Sequence, residues 1–361
     1  MNKYDIWFSL VKLSPIIKYN LLKHFNSFED ILQVITSNNI EGVSGLKEKV
    51  IYELKNAYDE EKIYNIQDIM VKEDIKITSY FNKDYPEKLR NIVDPPAVLF
   101  YKGDLNKINN RSVSIVGARE CTLYGENVTE EICRILSGNN INIISGLARG
   151  IDTTSHKTSL KENNYTCGVL GCGVNNIYPK ENKKIYDEME QKGLIISEYI
   201  PNAKPNSWHF PIRNRIISGL CELLIIIEAS EKSGSLITAN LALEQGKDVM
   251  SVPGSVFSKF SRGTNKLIKD GAHVFTCEED LYEILKIQKQ NVKNIKNNVN
   301  LKGEEVKILS ILSDKPMHIN EIVKLTNIDI ERLLGVLFEM QTFSKIRCIC
   351  GNFYVKNQKL A

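Results

Sequence analysis

The sequence predicts an α/β protein built around a doubly wound, mostly parallel sheet, and three patterns carry that expectation. Short β-rich runs at 112–116, 141–144, 166–170, 194–197, 223–228 and 248–252 alternate with longer helical stretches. The region before them has a helical period throughout, and the region after them reads as three short helices and a hairpin. Alternating strand and helix require right-handed crossovers, which make the sheet parallel and the domain Rossmann-like.

From residue 5 to about 73 the apolar positions follow the helical repeat. Phe28, Ile31, Leu32 and Ile35 share a face, Ser27 and Asp30 have capping-box spacing, and Leu46, Val50 and Leu54 mark a further helix. The turn Gly42-Val-Ser-Gly45 before that helix resembles the phosphate-facing turn of helix-hairpin-helix modules, but thin local basic charge favours a plain turn in a helical bundle. Residues 1–74 are therefore read as an N-terminal helical (SAM/helix-hairpin-helix-like) domain. An extended, proline-punctuated connector (75–104) precedes the sheet, so the Rossmann-like domain runs over 75–281 with its core at 111–281. The Lys/Asn/Gln-rich stretch 286–300 marks a linker, set at 282–301. Residues 302–361 are expected to form a winged helix whose hairpin turns at Gly351-Asn352, with Ser344 where a glycine commonly opens the hairpin.

Composition narrows the function classes. The 361 residues are 42% hydrophobic and 25% charged, an ordinary globular mix. No apolar run approaches the ~20 residues of a bilayer span, and the first ten residues lack an export pattern, so a cytoplasmic protein without membrane partners is expected. Among the eight cysteines, Cys133 falls in a helical pattern and Cys167, Cys172 and Cys221 lie in or beside apolar runs, where thiols act as small hydrophobes. Cys348 and Cys350 fall on one face of a strand pattern, and no zinc-ligand spacing occurs, so neither metal nor cofactor is expected. Net charge is only +3, and residues 111–280 hold 19 Lys/Arg against 20 Asp/Glu. A polyanion must then be met by a local cluster of cations.

That cluster is legible at the carboxyl ends of the expected strands, where ligands bind in such sheets. The first ends in Gly117-Ala118-Arg119, and the second in Ser145-Gly146 followed by Arg149-Gly150 and Asp152. The third leads through Gly171-Cys-Gly173 to Tyr178-Pro-Lys180, the fourth to His209-Phe210-Pro-Ile-Arg213-Asn214-Arg215, and the fifth to Ser233-Gly234-Ser235. Glycines let backbone amides approach a ligand, and helix N-termini favour anions. Arg119, Arg149, Lys180, Arg213 and Arg215 beside such loops describe a phosphate-binding rim. Asp152 and Asn214 also suit structural hydrogen bonding, Arg213 could instead pair with Glu198 or Glu228, and Trp208 could be core or surface. A dinucleotide fingerprint and a Walker A motif are both absent, which argues against NAD or ATP.

These loops, with Pro253-Gly254, Gly263-Thr-Asn-Lys-Leu-Ile268 and Asp84-Tyr-Pro86, resemble the DNA-processing protein family DprA, also called Smf. The resemblance implies a single-stranded-DNA-binding protein that protects incoming DNA, loads the RecA recombinase in natural transformation and forms a homodimer through the Rossmann-like domain. It also implies that Arg119 and Lys180 bind phosphate and that Phe210, Arg213 and Arg215 form the aromatic and basic part of the site. Family members often carry a basic residue just before His-Phe-Pro, where this chain has Ser207-Trp208; Lys204 or Trp208 is the expected substitute.

Two other functions compete. Phosphoribohydrolases on a similar fold need a glutamate close behind a glycine-rich loop, whereas the loop from Ser233 has no carboxylate before Glu244. A transcription regulator would read DNA through 329–340, but that helix offers one arginine against three acids. A non-enzymatic binding protein is therefore expected.

Overall fold

The computed structural model describes residues 2–37, 47–287, 303–313, 315–342, 345–349 and 351–356. The expected Gly42–Gly45 turn, most of the linker, and the Ser344 and Cys350 positions lie outside the described residues. The chain divides into two compact units, 1–287 and 288–361.

The first unit opens with helices α1 (Lys3–Leu10), α2 (Pro15–His24), α3 (Phe28–Thr36), α4 (Glu48–Asn56) and α5 (Glu60–Lys72). Ser27 caps α3 by accepting the Asp30 amide at 3.0 Å. Phe8 stacks on Phe28 at 4.3 Å, and the buried Trp7 indole donates to the Leu54 carbonyl at 3.1 Å. This helical core is continuous with the sheet through Val98, Phe100, Leu170 and Ile195. The segment expected as a separate domain over 1–74 thus shares its core with the sheet.

The stretch read as a connector adds strands of its own. β1 (Lys76–Ser79), a short α6 (Glu87–Arg90) and β2 (Val98–Gly103) lead into the alternating region. There follow β3 (Ser112–Val116), α7 (Leu123–Gly138), β4 (Asn142–Ser145), α8 (Ile151–Lys161), β5 (Thr166–Leu170), α9 (Lys183–Lys192) and β6 (Leu194–Ser197). After these come α10 (His209–Leu220), β7 (Leu223–Ile226), α11 (Gly234–Glu244), β8 (Asp248–Ser251), α12 (Arg262–Lys269), β9 (His273–Val274) and α13 (Glu278–Ile284).

The sheet order is β1-β2-β6-β5-β4-β3-β7-β8-β9. From β6 to β9 neighbours are parallel, while β1 and β2 pair antiparallel at the edge, β2 against β6. Both faces of the parallel part are covered, so its strands are buried on both sides and carry small hydroxyl residues such as Ser114 and Ser145 among the apolar ones. Leu224 and Ile226 face the core of α10 and α11, and Leu223 and Ile225 face that of α7. The chain runs outward from β3 to β6 on one side, then returns to place β7 on the other flank of β3. β3 and β7 therefore bound the topological switch point, where a crevice opens above the strand ends.

The second unit contains α14 (Gly303–Ile311), β10 (Met317–His318), α15 (Ile319–Thr326), α16 (Ile330–Thr342), β11 (Ile346–Ile349) and β12 (Phe353–Lys356). Its strands form an antiparallel sheet in the order β10-β12-β11. Leu333, Leu337 and Met340 of α16 bury against Ile308, Ile322 and Tyr354. Glu305 and Lys345 form a buried ion pair at 2.9 Å.

Candidate nucleic-acid interface

A cleft of about 530 Å³ opens at the switch point, lined by Gly117 and Arg119 after β3, Tyr178 after β5, Ser207, Phe210, Pro211, Arg213 and Asn214 around the start of α10, and Ser233, Gly234 and Ser235 at the start of α11. Its shape follows from close approaches that only glycine permits. A Cβ on Gly117 would stand 2.6 Å from Ile151, so α8 can press against the end of β3. Gly150 has φ +71, and a Cβ there would stand 2.3 Å from the Ala118 carbonyl oxygen. The loop carrying Arg119 is held at its far end by the buried Glu228, which accepts the Thr122 amide at 2.8 Å and its hydroxyl at 2.6 Å. Thr122 caps α7, so this carboxylate also sits at a helix N-terminus, where negative charge is stabilised.

Arg119 is exposed, and among the described residues no carboxylate lies within 4.0 Å of its guanidinium. That guanidinium stands 5.5 Å from the centre of the Phe210 ring, and Tyr178 stacks on the same ring at 5.7 Å with planes 27° apart. Gly171 makes room for Phe210, since a Cβ there would lie 2.8 Å from its ring. A free cation beside two accessible rings can hold a phosphate while a base stacks.

Four expected rim residues have their polar groups engaged within the protein, which corrects the expectation that they stand free for phosphate. Arg215 is 3% exposed and pairs with Glu198 at 2.8 Å and Asp94 at 3.0 Å, so its charge is already matched. Burial works against that charge, but the two carboxylates outweigh it and the guanidinium stays above its usual value. Arg213 reaches the cleft floor, yet it donates to the carbonyls of Gly146 and Val169, not to Glu198 or Glu228. Burial lowers its pKa to about 10, opposed by the nearby Asp152. The Ser145 hydroxyl is buried and donates to the Ile115 carbonyl at 2.7 Å, and the Gly146 amide donates to Asp152 at 3.1 Å. Asp152 also accepts the Ala148 amide at 3.3 Å, the structural role read for it; its own carboxyl is pushed up by burial, with Arg213 opposing.

The remaining residues divide. Asn214, half-buried, lines the cleft and lies 3.5 Å from the Gly234 carbonyl. Ser233 and Ser235 hydroxyls share a hydrogen bond of 2.8 Å at the start of α11. Arg149 lines a smaller adjoining pocket with Arg119 and Phe210, but it also meets Glu181 at 2.6 Å, with both side chains more than 60% exposed. Lys180 is exposed beyond Pro179 and does not line the cleft, and Gly150 acts behind the Arg119 loop. Sequence reasoning quoted Tyr178 but did not assign it to the site; its signal was an aromatic in a strand-end loop. Glu228 was seen only as a possible ion-pair partner, because its loop-holding role depends on a contact 106 residues away in the chain.

Comparison with known proteins adds a family. The family model for DNA recombination-mediator protein A matches residues 76–286. The DNA processing protein DprA of Bacillus subtilis is 42% identical over 262 residues, 71% of this chain and 84% of the relative. The Streptococcus pneumoniae protein of that name is 36% identical over 78% of this chain and 97% of its own length. Its solved structure superposes with a TM-score of 0.68, covering 78% of this chain and 98% of that one. The DNA processing protein A of Helicobacter pylori, whose structure concerns its single-stranded DNA binding mode, gives a TM-score of 0.54 at 31% identity, covering 58% and 96%. With its mostly parallel sheet covered by helices and its crevice at the switch point, this chain belongs to the DNA recombination-mediator protein A family.

Proposed function

We propose that this protein binds single-stranded DNA in the switch-point cleft and, as a recombination mediator, loads RecA onto DNA entering the cell during natural transformation. The observation that carries the binding step is the exposed Arg119, without a carboxylate among the described residues, set over the Phe210 ring on which Tyr178 stacks. The single-stranded DNA binding mode named for the Helicobacter pylori relative supports it. The RecA role and a homodimer through the Rossmann-like domain rest on family membership.

In this reading the protein does no chemistry and works in the cytoplasm. The carboxylate among the cleft-lining residues, Asp152, is engaged by two backbone amides, which leaves it poorly suited as a general base. No helix among the described residues is long and apolar enough to cross a membrane. In this reading the second unit acts as a winged helix for protein contact, supported by the balance of one arginine, Arg332, against three acids over 329–340.

A gel shift comparing single-stranded with duplex DNA at moderate salt tests the binding step. We expect single strands to bind better, with little sequence preference, and affinity to fall with salt at a log–log slope of about −0.7 per phosphate contacted. Equal affinity for duplex and single strand would count against the reading.

A further inference from the structure

The residue at the cap of α10 stands outside the cleft but beside it in the chain. Trp208 lies between Ser207 and Phe210, which both line the cleft, and it is 58% exposed. Leaving an indole in water forgoes a large burial gain, so a well-placed exposed tryptophan calls for an occupant. Its placement is braced. The Trp208 ring meets His209 edge-on at 4.3 Å and 72°, and His209 lies flat on Tyr199 at 3.9 Å and 21°. Nδ1 of His209 is 3.0 Å from the Gly171 carbonyl oxygen, the same glycine that makes room for Phe210.

The start of α10 therefore carries two aromatic supports separated by one residue. Phe210 packs with Tyr178 and Arg119 in the cleft, and Trp208 is propped by the His209–Tyr199 stack. The surroundings of Trp208 favour a nucleobase over an apolar protein surface. The preceding Lys204-Pro-Asn-Ser207 is exposed and polar or charged apart from its proline, and among the described residues no carboxylate lies within 4.0 Å of Lys204. An accessible ring with a free ammonium nearby in the chain is the pairing that single-strand sites use for base and phosphate.

We propose that Trp208 is a second base-stacking platform, which receives a nucleotide of the strand as it leaves the cleft, with Lys204 serving the adjoining phosphate. The proposal rests on the single-stranded DNA reading above.

The chain has two tryptophans, and the other, Trp7, is fully buried and hydrogen-bonded to Leu54, so a ligand-dependent change in tryptophan emission reports on Trp208. The full-length protein is titrated with oligothymidine, following emission and, in parallel, the anisotropy of a labelled oligonucleotide. We expect emission to be quenched with the same midpoint as the anisotropy, and Trp208→Phe to bind with little loss while abolishing the quench. Trp208→Ala should weaken binding about fivefold or more, the lower end for a lost base–aromatic stack. Its salt slope should match that of the parent, because no phosphate contact is lost. Binding without quenching, or an unchanged affinity in folded Trp208→Ala, overturns the second platform and leaves the cleft reading standing. Failure of the parent protein to bind any single strand overturns both.

Discussion

Arg119 is where the single residue matters most. Its guanidinium is exposed, free of carboxylates among the described residues, and braced against Phe210, so it can offer two parallel hydrogen bonds to one phosphate. Arg119→Ala should weaken single-strand binding by roughly 1.5–3 kcal/mol, and Arg119→Lys should recover only part of that. Lys161, exposed at the far end of α8, is the control and should lose little; unchanged affinity in a folded Arg119→Ala would dismiss the assignment. Arg213 behaves differently. Removing it takes the Arg213 donor from two carbonyls and the nearby cation from Asp152, so Arg213→Ala should cost stability, roughly 1–3 kcal/mol by denaturant melts. His156 gives the pH signature. Buried, it donates from Nδ1 to Thr166 at 2.7 Å, since the Thr166 hydroxyl itself donates to Ile143, and burial lowers its pKa from 6.5 to about 3. Between those values the unfolded chain takes up a proton that the folded chain refuses. Stability from this group is therefore complete above pH 6.5 and falls by up to about 1.4 kcal/mol per pH unit as pH drops toward 3. Denaturant midpoints measured across that window should show the slope, and His156→Gln should flatten it.

At the scale of elements, the site is made by how strand ends meet helix starts. The β3–α7 loop is clamped between Gly150 on one side and Glu228 on the other. A methyl at Gly150 meets the Ala118 carbonyl and also demands φ +71 of a residue with a side chain, so the loop has to move. Gly150→Ala should lower both thermal stability and single-strand affinity. Gly138→Ala, at the end of α7 with open space around it, should leave affinity unchanged. Equal affinities for the two variants would show that the clamp does not position Arg119. The expected strands at 112–116, 166–170 and 194–197 coincide with β3, β5 and β6, because short runs rich in β-branched and apolar residues, with small serines and a glycine between, suit strands buried on both faces. The segment 75–104 hides its strands better. β1 and β2 form an antiparallel edge whose pairing with β6 is a tertiary event, and the prolines between them read locally as a linker.

For the whole molecule, the shared core decides what can be cut away. Helices α1 to α5 pack through one apolar cluster onto Val98, Phe100 and Ile195 of the sheet. A fragment spanning 111–280 would expose that face, whereas 1–287 keeps the compact unit whole. The 1–287 fragment should therefore fold cooperatively and retain most of the single-strand affinity of the full chain, while 111–280 should express poorly or aggregate. A loss of affinity in folded 1–287 comparable to that of Arg119→Ala would move part of the site into the second unit.

The sequence alone determined the alternation that makes the sheet, the strand ends at which chemistry collects, and the family, because strand and helix periods and short loop motifs are local properties. It also singled out Gly117, Arg119, Phe210, Asn214 and Ser233–Ser235, which line one cleft because the ends of parallel strands converge by topology. What it could not distinguish was burial. Arg213 and Arg215 share the His-Phe-Pro-Ile-Arg-Asn-Arg segment with Phe210, yet both are buried, Arg213 at the cleft floor against the carbonyls of Gly146 and Val169 and Arg215 against Glu198 and Asp94. Only tertiary structure supplies those partners, from strands and loops far away in the chain. A buried arginine and a phosphate-binding arginine look alike in sequence, and the difference lies in whether a carbonyl or carboxylate reaches the guanidinium before solvent does.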